Sequence, residues 1–195
     1  MRCELFYLIL KRNICILPIC YLILTEGIEM TEYVARVDDY DNVIEIVTRE
    51  EAGKNGYNVR IAAVLVFNDL GEILLQKVSS KKKKDAGKWS YSAAGHVDAG
   101  EDYPTAALRE LKEELGIDGE IEDYIGLSRT IDPVTKQKKS FHRAYKVIHN
   151  GPFDFDRKEA DEIRFFSIPK LSSMIKAHPE MFKANLIDIL SIMGI

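Results

Sequence analysis

The stretch "VRIAAVLVF", residues 59–67, is apolar at every position but Arg60. Side chains of a strand alternate between faces, so a strand apolar at successive positions must be covered on both sides. That requirement calls for a sheet with a layer above it and a layer below. Flanking segments supply the parts. "YVARV" and "NVIEIV" have strand character, with the turn "DDYDN" between them, and "EILLQKV" follows the turn "NDLG" as a hairpin partner of the central strand. "EIEDYIGLSRTI" and "SFHRAYKVIH", separated by "DPVTKQKK", and then "EIRFFSI" are further strands. "REEAGKNG" reads as a short helix or loop ending on Gly56. "PKLSSMIKAH" and "PEMFKANLIDILSIM" read as two helices, each opened by a proline whose missing N–H costs nothing there. Strands mixed with a few helices give the fold class α/β, a sandwich with a mixed β-sheet.

Composition bounds the rest. With 195 residues, 46% of them hydrophobic, the chain can bury one core, in a single domain of about 150 residues or slightly more. Cys3, Cys15 and Cys20 all precede residue 21, which excludes a disulfide-stapled framework and suits a reducing cytoplasm. The apolar run "ICILPICYLIL", residues 14–24, is shorter than the about 20 residues a membrane span needs, and no small-residue cleavage site follows Leu24. Residues 1–29 are therefore expected to be a hydrophobic extension outside the working domain, which would occupy 30–195 and open at Met30. A net charge of −4 gives no electrostatic case for nucleic acid or an anionic membrane. No internal repeat is visible.

The chemistry is concentrated in "GHVDAGEDYPTAALRELKEELGI", residues 95–117. Pro104 marks the first turn of a helix and Gly116 its end. At 100° per residue Glu110, Glu113 and Glu114 fall within an arc of about 100°. Leu108, Leu111 and Leu115 gather on the other side, expected to pack on the sheet, while Ala106 and Ala107 leave the carboxylate side open. Like charges at these spacings cost about a few tenths of a kcal/mol each. A hard divalent cation with oxygen ligands would turn that cost into binding. The plainer alternative for the glutamates alone is a solvated helix face.

Gly95, five residues, Glu101, seven residues and then "RELKEELGI" resembles the box of the Nudix family at every defining position. "AAVLVFNDLGEILLQK", "GKWSYSAAGH" and "EADEIRFFSIPKL" resemble the flanks of a Nudix domain, and together the likeness covers about residues 33–190. The resemblance implies a Nudix-type α/β/α sandwich with a strand–loop–helix catalytic unit. It also implies Mg²⁺ or Mn²⁺ and hydrolysis of a small-molecule diphosphate of the nucleoside diphosphate-X type. It assigns Gly95, Glu110, Glu113 and Glu114 to the metal. Arg109 is assigned to a pairing with Glu101 that holds the loop on the helix, and Glu110 and Glu113 join these two in the catalytic set. The general base is to be sought among Glu110, Glu113, Glu159 and Glu162.

Ala93-Ala94-Gly95-His96, with Trp89 and a lysine-rich loop, resembles the isopentenyl diphosphate isomerase-like branch of that family. An isomerase is thus the rival function, but Ala94 stands where that branch would use a cysteine, and His142 or Arg143 stands in place of its later glutamate. A non-catalytic nucleotide- or protein-binding module is the third reading. Lys77, Lys88, Trp89, His96 and Glu162 are the candidates for holding substrate. Tryptophan is ordinarily well buried, so a core place for Trp89 competes with a substrate platform. His96 beside a glycine also suits a structural role. The Lys81–Lys84 run is either a solvated loop or a phosphate-gripping rim. Nothing in the sequence selects the group linked to the diphosphate, and a homodimer is left open.

Overall fold

A computed structural model describes residues 31–131 and 138–195. The extension 1–29, with the three cysteines, and most of the "DPVTKQKK" turn lie outside the described residues.

Nine strands and four α-helices are described. They are β1 Tyr33–Val37, β2 Val43–Thr48, α1 Arg49–Asn55, β3 Val59–Phe67, β4 Ile73–Val78, β5 Trp89–Ser90, β6 Ala93–His96 and α2 Tyr103–Leu115. Then come β7 Glu122–Ile131, β8 Lys138–Ile148, β9 Ala160–Phe166, α3 Ile168–Ala177, a 3₁₀ turn Pro179–Met181 and α4 Ala184–Ile192. β1 and β2 form their own two-stranded sheet, and the other seven strands form one mixed sheet. β3 runs parallel to β8 through nine consecutive pairs, Val59↔Ser140 to Phe67↔Ile148. The other described ladders of that sheet are antiparallel.

β3 is covered on both faces, as its apolar run requires. Ala62, Val64 and Val66 join one core with Ala106, Ala107, Leu111 and Leu115 of α2. The alternate residues Ala63, Leu65 and Phe67 join a second core with Leu171 of α3 and Leu186 and Ile189 of α4. The architecture is therefore the expected α/β/α sandwich with a mixed sheet. Phe165 and Phe166 divide in the same way, one toward each core.

Three local expectations are corrected. β4 is a hairpin partner of β3 only at Phe67↔Ile73. The two strands then part, β6 lies along β3 and β5 along β4, and the segment between them fills the opening. Ser92 bridges the parted strands: its hydroxyl accepts from the Val66 N–H at 2.7 Å and donates to the Leu74 carbonyl at 2.5 Å. These bonds stand in for ladder bonds that buried backbone would otherwise lack. Leu108 is 42% exposed, while Ala106 and Ala107 are fully buried. The buried arc of α2 thus runs from Ala106 through Glu110 and Glu114 to Leu115, because two alanines allow the helix to approach the sheet closely. The last helix does not run from Pro179 onward. It breaks at Phe182 and Lys183, both extended, since Phe182 is buried and bridged to Trp89 and the Lys183 N–H donates to the Trp89 carbonyl at 2.9 Å. Tertiary packing there overrides helix propensity.

Candidate active site

The helix bearing the glutamates is capped at both ends. Asp102 accepts from the Thr105 N–H at 2.9 Å, Pro104 occupies the first turn, and Gly116 closes the helix at φ 70°. α2 is thereby fixed against β6, and Glu110 packs directly on Gly95. A β-carbon at Gly95 would lie 1.9 Å from Glu110 Oε1, so that contact exists only because residue 95 has no side chain.

Arg109 ties this corner together. Its Nε and Nη2 donate to the two oxygens of Glu101, each at 2.9 Å, and Nη2 also donates to the His96 carbonyl at 3.0 Å. Nη1 donates to Glu110 at 2.7 Å and to Glu113 at 3.3 Å. One guanidinium therefore joins the loop, the end of β6 and two of the glutamates. The hydrogen bonds from Arg109 hold the Glu101 carboxyl below its usual range.

The glutamates are not equivalent. Glu113 is largely exposed, whereas Glu110 is 9% exposed. Burial raises the Glu110 carboxyl against the opposing pull of Arg109. Glu114 is pushed up to about 8, by burial first and by the charge of Glu110 next. Gln76, on β4, donates to Glu114 at 2.7 Å and also bonds the Ser92 carbonyl, and the Ala94 N–H points at the same carboxylate from 3.3 Å.

A cavity of ≈ 420 Å³ opens here, lined by Gln76, Ala94, Gly95, His96 and Glu114 on one side. Arg49, Lys82, Lys83, Lys84, Glu159 and Lys183 line the rest. His96 is held down to about 4 by burial and then by the Arg49 charge, so it enters the cavity neutral at pH 7. Lys82 reaches Glu159 at 2.7 Å.

Several sequence candidates fall elsewhere. Trp89 is 3% exposed, with its ring edge-on to Phe166 at 4.8 Å, and belongs to the core rather than to a substrate platform. Lys77 faces away from its neighbours Gln76 and Val78, which do line the cavity, and is paired in register with Glu162. Glu162 bonds Arg164, and Lys88 pairs with Asp85 at 3.1 Å. None of these four lines the cavity. Of the residues proposed for the isomerase rival, His142 is buried and Arg143 pairs with Asp123 at 3.1 Å. Gln76, Arg49, Lys183 and Asn185 line the cavity without having been singled out. The alternation of β4 could have suggested Gln76, but no local pattern marks the other three.

Among the described residues, no three Asp, Glu, His or Cys side chains converge into a ready-made metal cage. Mg²⁺ does not ask for one. It is commonly held by one or two carboxylates, with waters and substrate phosphate completing the shell. Glu110, packed on Gly95, and Glu114, which lines the cavity one turn further along α2, are both raised by burial and form an all-oxygen donor set of that kind.

Residues 56–185 match the family model for the NUDIX domain. The chain belongs to the Nudix family. An uncharacterised Nudix hydrolase of Pseudomonas aeruginosa is 31% identical over 69% of this chain and 78% of that protein. An isopentenyl-diphosphate Delta-isomerase of Aliivibrio fischeri is 30% identical over 78% of this chain and 90% of that protein. A crystal structure from Deinococcus radiodurans has the same fold, with TM-score 0.70, 21% identity and coverage of 82% of this chain and 98% of that one. A MutT protein of Methanosarcina mazei superposes at TM-score 0.54, with 23% identity over 65% of this chain and 86% of its own. The chain is thus an enzyme of the Nudix hydrolase family, whose members act on small-molecule diphosphates and generally use divalent metals. Among the described residues no helix is long and apolar enough to cross a membrane.

Proposed function

We propose that this Nudix enzyme hydrolyses a diphosphate linkage in a nucleoside diphosphate-X type substrate with Mg²⁺ or Mn²⁺. The observation that carries the reading is Glu110 packed on Gly95, one helical turn from Glu114, which with Gly95 lines a cavity rimmed by lysines. Glu110, Glu114 and the Gly95 carbonyl would hold the cation, with Glu113 within reach from the exposed edge of α2. When bound, the cation neutralises phosphate charge and lowers the pKa of a water. Arg109 is a positioning residue: by holding Glu101 and the His96 carbonyl it fixes the loop that carries Gly95. Of the four candidate bases, Glu159 lines the cavity and is not needed for the metal, so the proton of the attacking water is assigned to it. Glu162 does not line the cavity and is not assigned that role.

The isomerase reading rests on the names of relatives such as the Aliivibrio protein. Against it, Ala94 has no proton to give, and neither His142, buried, nor Arg143, paired with Asp123, lines the cavity. The test is phosphate or nucleoside monophosphate release from a panel of nucleoside diphosphate conjugates and other diphosphates, with Mg²⁺, Mn²⁺ or chelator. Metal-dependent release from at least one nucleoside diphosphate conjugate is expected. Metal-dependent deuterium incorporation from solvent into the allylic product of isopentenyl diphosphate would transfer the assignment to isomerisation.

A further inference from the structure

Lys183 occupies an unusual position. It lies 73 residues beyond Glu110 in sequence yet lines the same cavity as Glu114. Its backbone is locked, because Phe182 is buried in the core beneath Trp89 and the Lys183 N–H is bonded to the Trp89 carbonyl. Its side chain is half-buried, and burial pulls the ammonium below its usual range against the opposing charges of Asp85, Glu114 and Glu159, none of which is within ion-pair distance. The other cations of the cavity differ. Arg49 is paired with Glu32 and Lys82 with Glu159, while Lys83 and Lys84 are exposed. Among the described residues Lys183 has no carboxylate within 4.0 Å. An ammonium withdrawn from water without a partner costs free energy in the empty protein. That cost is recovered when an anion arrives, and the cavity then holds a charge-assisted contact shielded from solvent.

We infer that Lys183 is the anion anchor of the cavity, binding a phosphoryl group of the diphosphate through its ammonium. This rests on the hydrolase reading for the site's place in a reaction, though not for the binding itself. The extended break between the 3₁₀ turn and α4 exists to deliver that lysine. A regular helix from Pro179 could not pair its backbone with Trp89 and present residue 183 to the cavity.

Inorganic pyrophosphate is the probe, titrated calorimetrically into the full chain with and without Mg²⁺. Lys183→Met is expected to weaken pyrophosphate binding about tenfold or more, and Lys183→Arg to stay within about threefold of wild type. The melting temperature of Lys183→Met should equal or exceed that of wild type, because a half-buried ammonium with no carboxylate in contact has been removed. A double Lys170→Ala, Lys176→Ala variant should change binding by less than about threefold, since both lysines are exposed and neither lines the cavity. Undiminished pyrophosphate binding by Lys183→Met would overturn the inference. So would an equal loss in the Lys170/Lys176 variant, or a loss in Lys183→Met that comes with a lowered melting temperature. Binding is read without turnover. Loss of pyrophosphate at Lys183→Met in a protein that hydrolyses nothing in the panel would therefore sink the hydrolase reading and leave the anchor standing.

Discussion

The two sides of the cavity are assembled in opposite ways. The carboxylate side comes from one continuous stretch, Gly95 to Gly116, in which a capped helix folds back on the strand just before it. The cationic side is gathered from Arg49 at the start of α1, the Lys82–Lys84 loop and Lys183 at the start of α4. Contacts on the first side are short and buried or part-buried: Glu110 on Gly95, Glu114 on Gln76 and Ala94, Arg109 on Glu101. Those on the second are mostly ion pairs with exposed partners, which water screens. The difference teaches that one side is a rigid instrument with little tolerance, whereas the other is an electrostatic field to which several residues contribute.

Substitutions should separate the two, with the greatest losses on the rigid side. Glu114→Gln keeps the shape but removes the charge Glu114 would carry against a bound cation, and turnover should fall by about 10³ with the fold preserved. Unchanged turnover at a matched melting temperature would break the assignment of this side to the metal. Gly95→Ala comes next. The new methyl would displace the Glu110 carboxylate, the flexible end of its side chain, so folding should survive while activity drops about 100-fold. If circular dichroism and activity both match wild type, the close approach has no role.

A third measurement uses pH. The folded-state pKa of Glu114 is about 8 against an ordinary 4.5. A raised carboxyl favours the neutral form, so its contribution to stability is fully present below about 4.5 and is lost as pH rises through about 8. Relative to Glu114→Gln, in which the opposite slope of the half-buried, neutral His96 is unchanged, metal-free wild type should therefore melt progressively lower across that window. Mg²⁺ should oppose the decline by binding the ionised form, and Glu114→Gln should lack it. A difference between wild type and Glu114→Gln that stays constant with pH would contradict the burial argument. The smallest effect is expected from deleting residues 1–29. We propose that the working domain is 30–195, in keeping with the family match at 56–185 and the compact unit formed by Glu32–Ile195. The truncated protein should retain pyrophosphate binding and turnover within about twofold, an effect below the scale of a lost contact. Aggregation or lost activity would make the extension part of the working unit.

What could be read directly from the sequence was whatever neighbouring residues decide among themselves. The apolar run of β3 required cover on both faces, because alternate side chains point to opposite sides of a strand. Asp102, Pro104 and Gly116 bounded α2, because caps satisfy or dispense with the end groups of their own helix. The spacing of Gly95, Glu101, Arg109 and the glutamates marked the carboxylate side, because that spacing spans a single local fold-back. Within α2, however, the packing alone decided which face was buried. Leu108 was left outside and Ala106 and Ala107 went inside, since close approach to the sheet rewards small side chains over apolar ones. Lys77 and its register partner Glu162 were left on the other face of β4 by strand alternation, while Trp89 was taken into the core against Phe166 and Lys88 was paired with Asp85. Lys183 and Arg49 reached it only because distant segments were brought together, Lys183 through the seating of Phe182 beside Trp89. A charge's partner, and its distance from water, are properties of the assembled chain. The carboxylate side was thus legible in advance, and the cationic side existed only once the fold had closed.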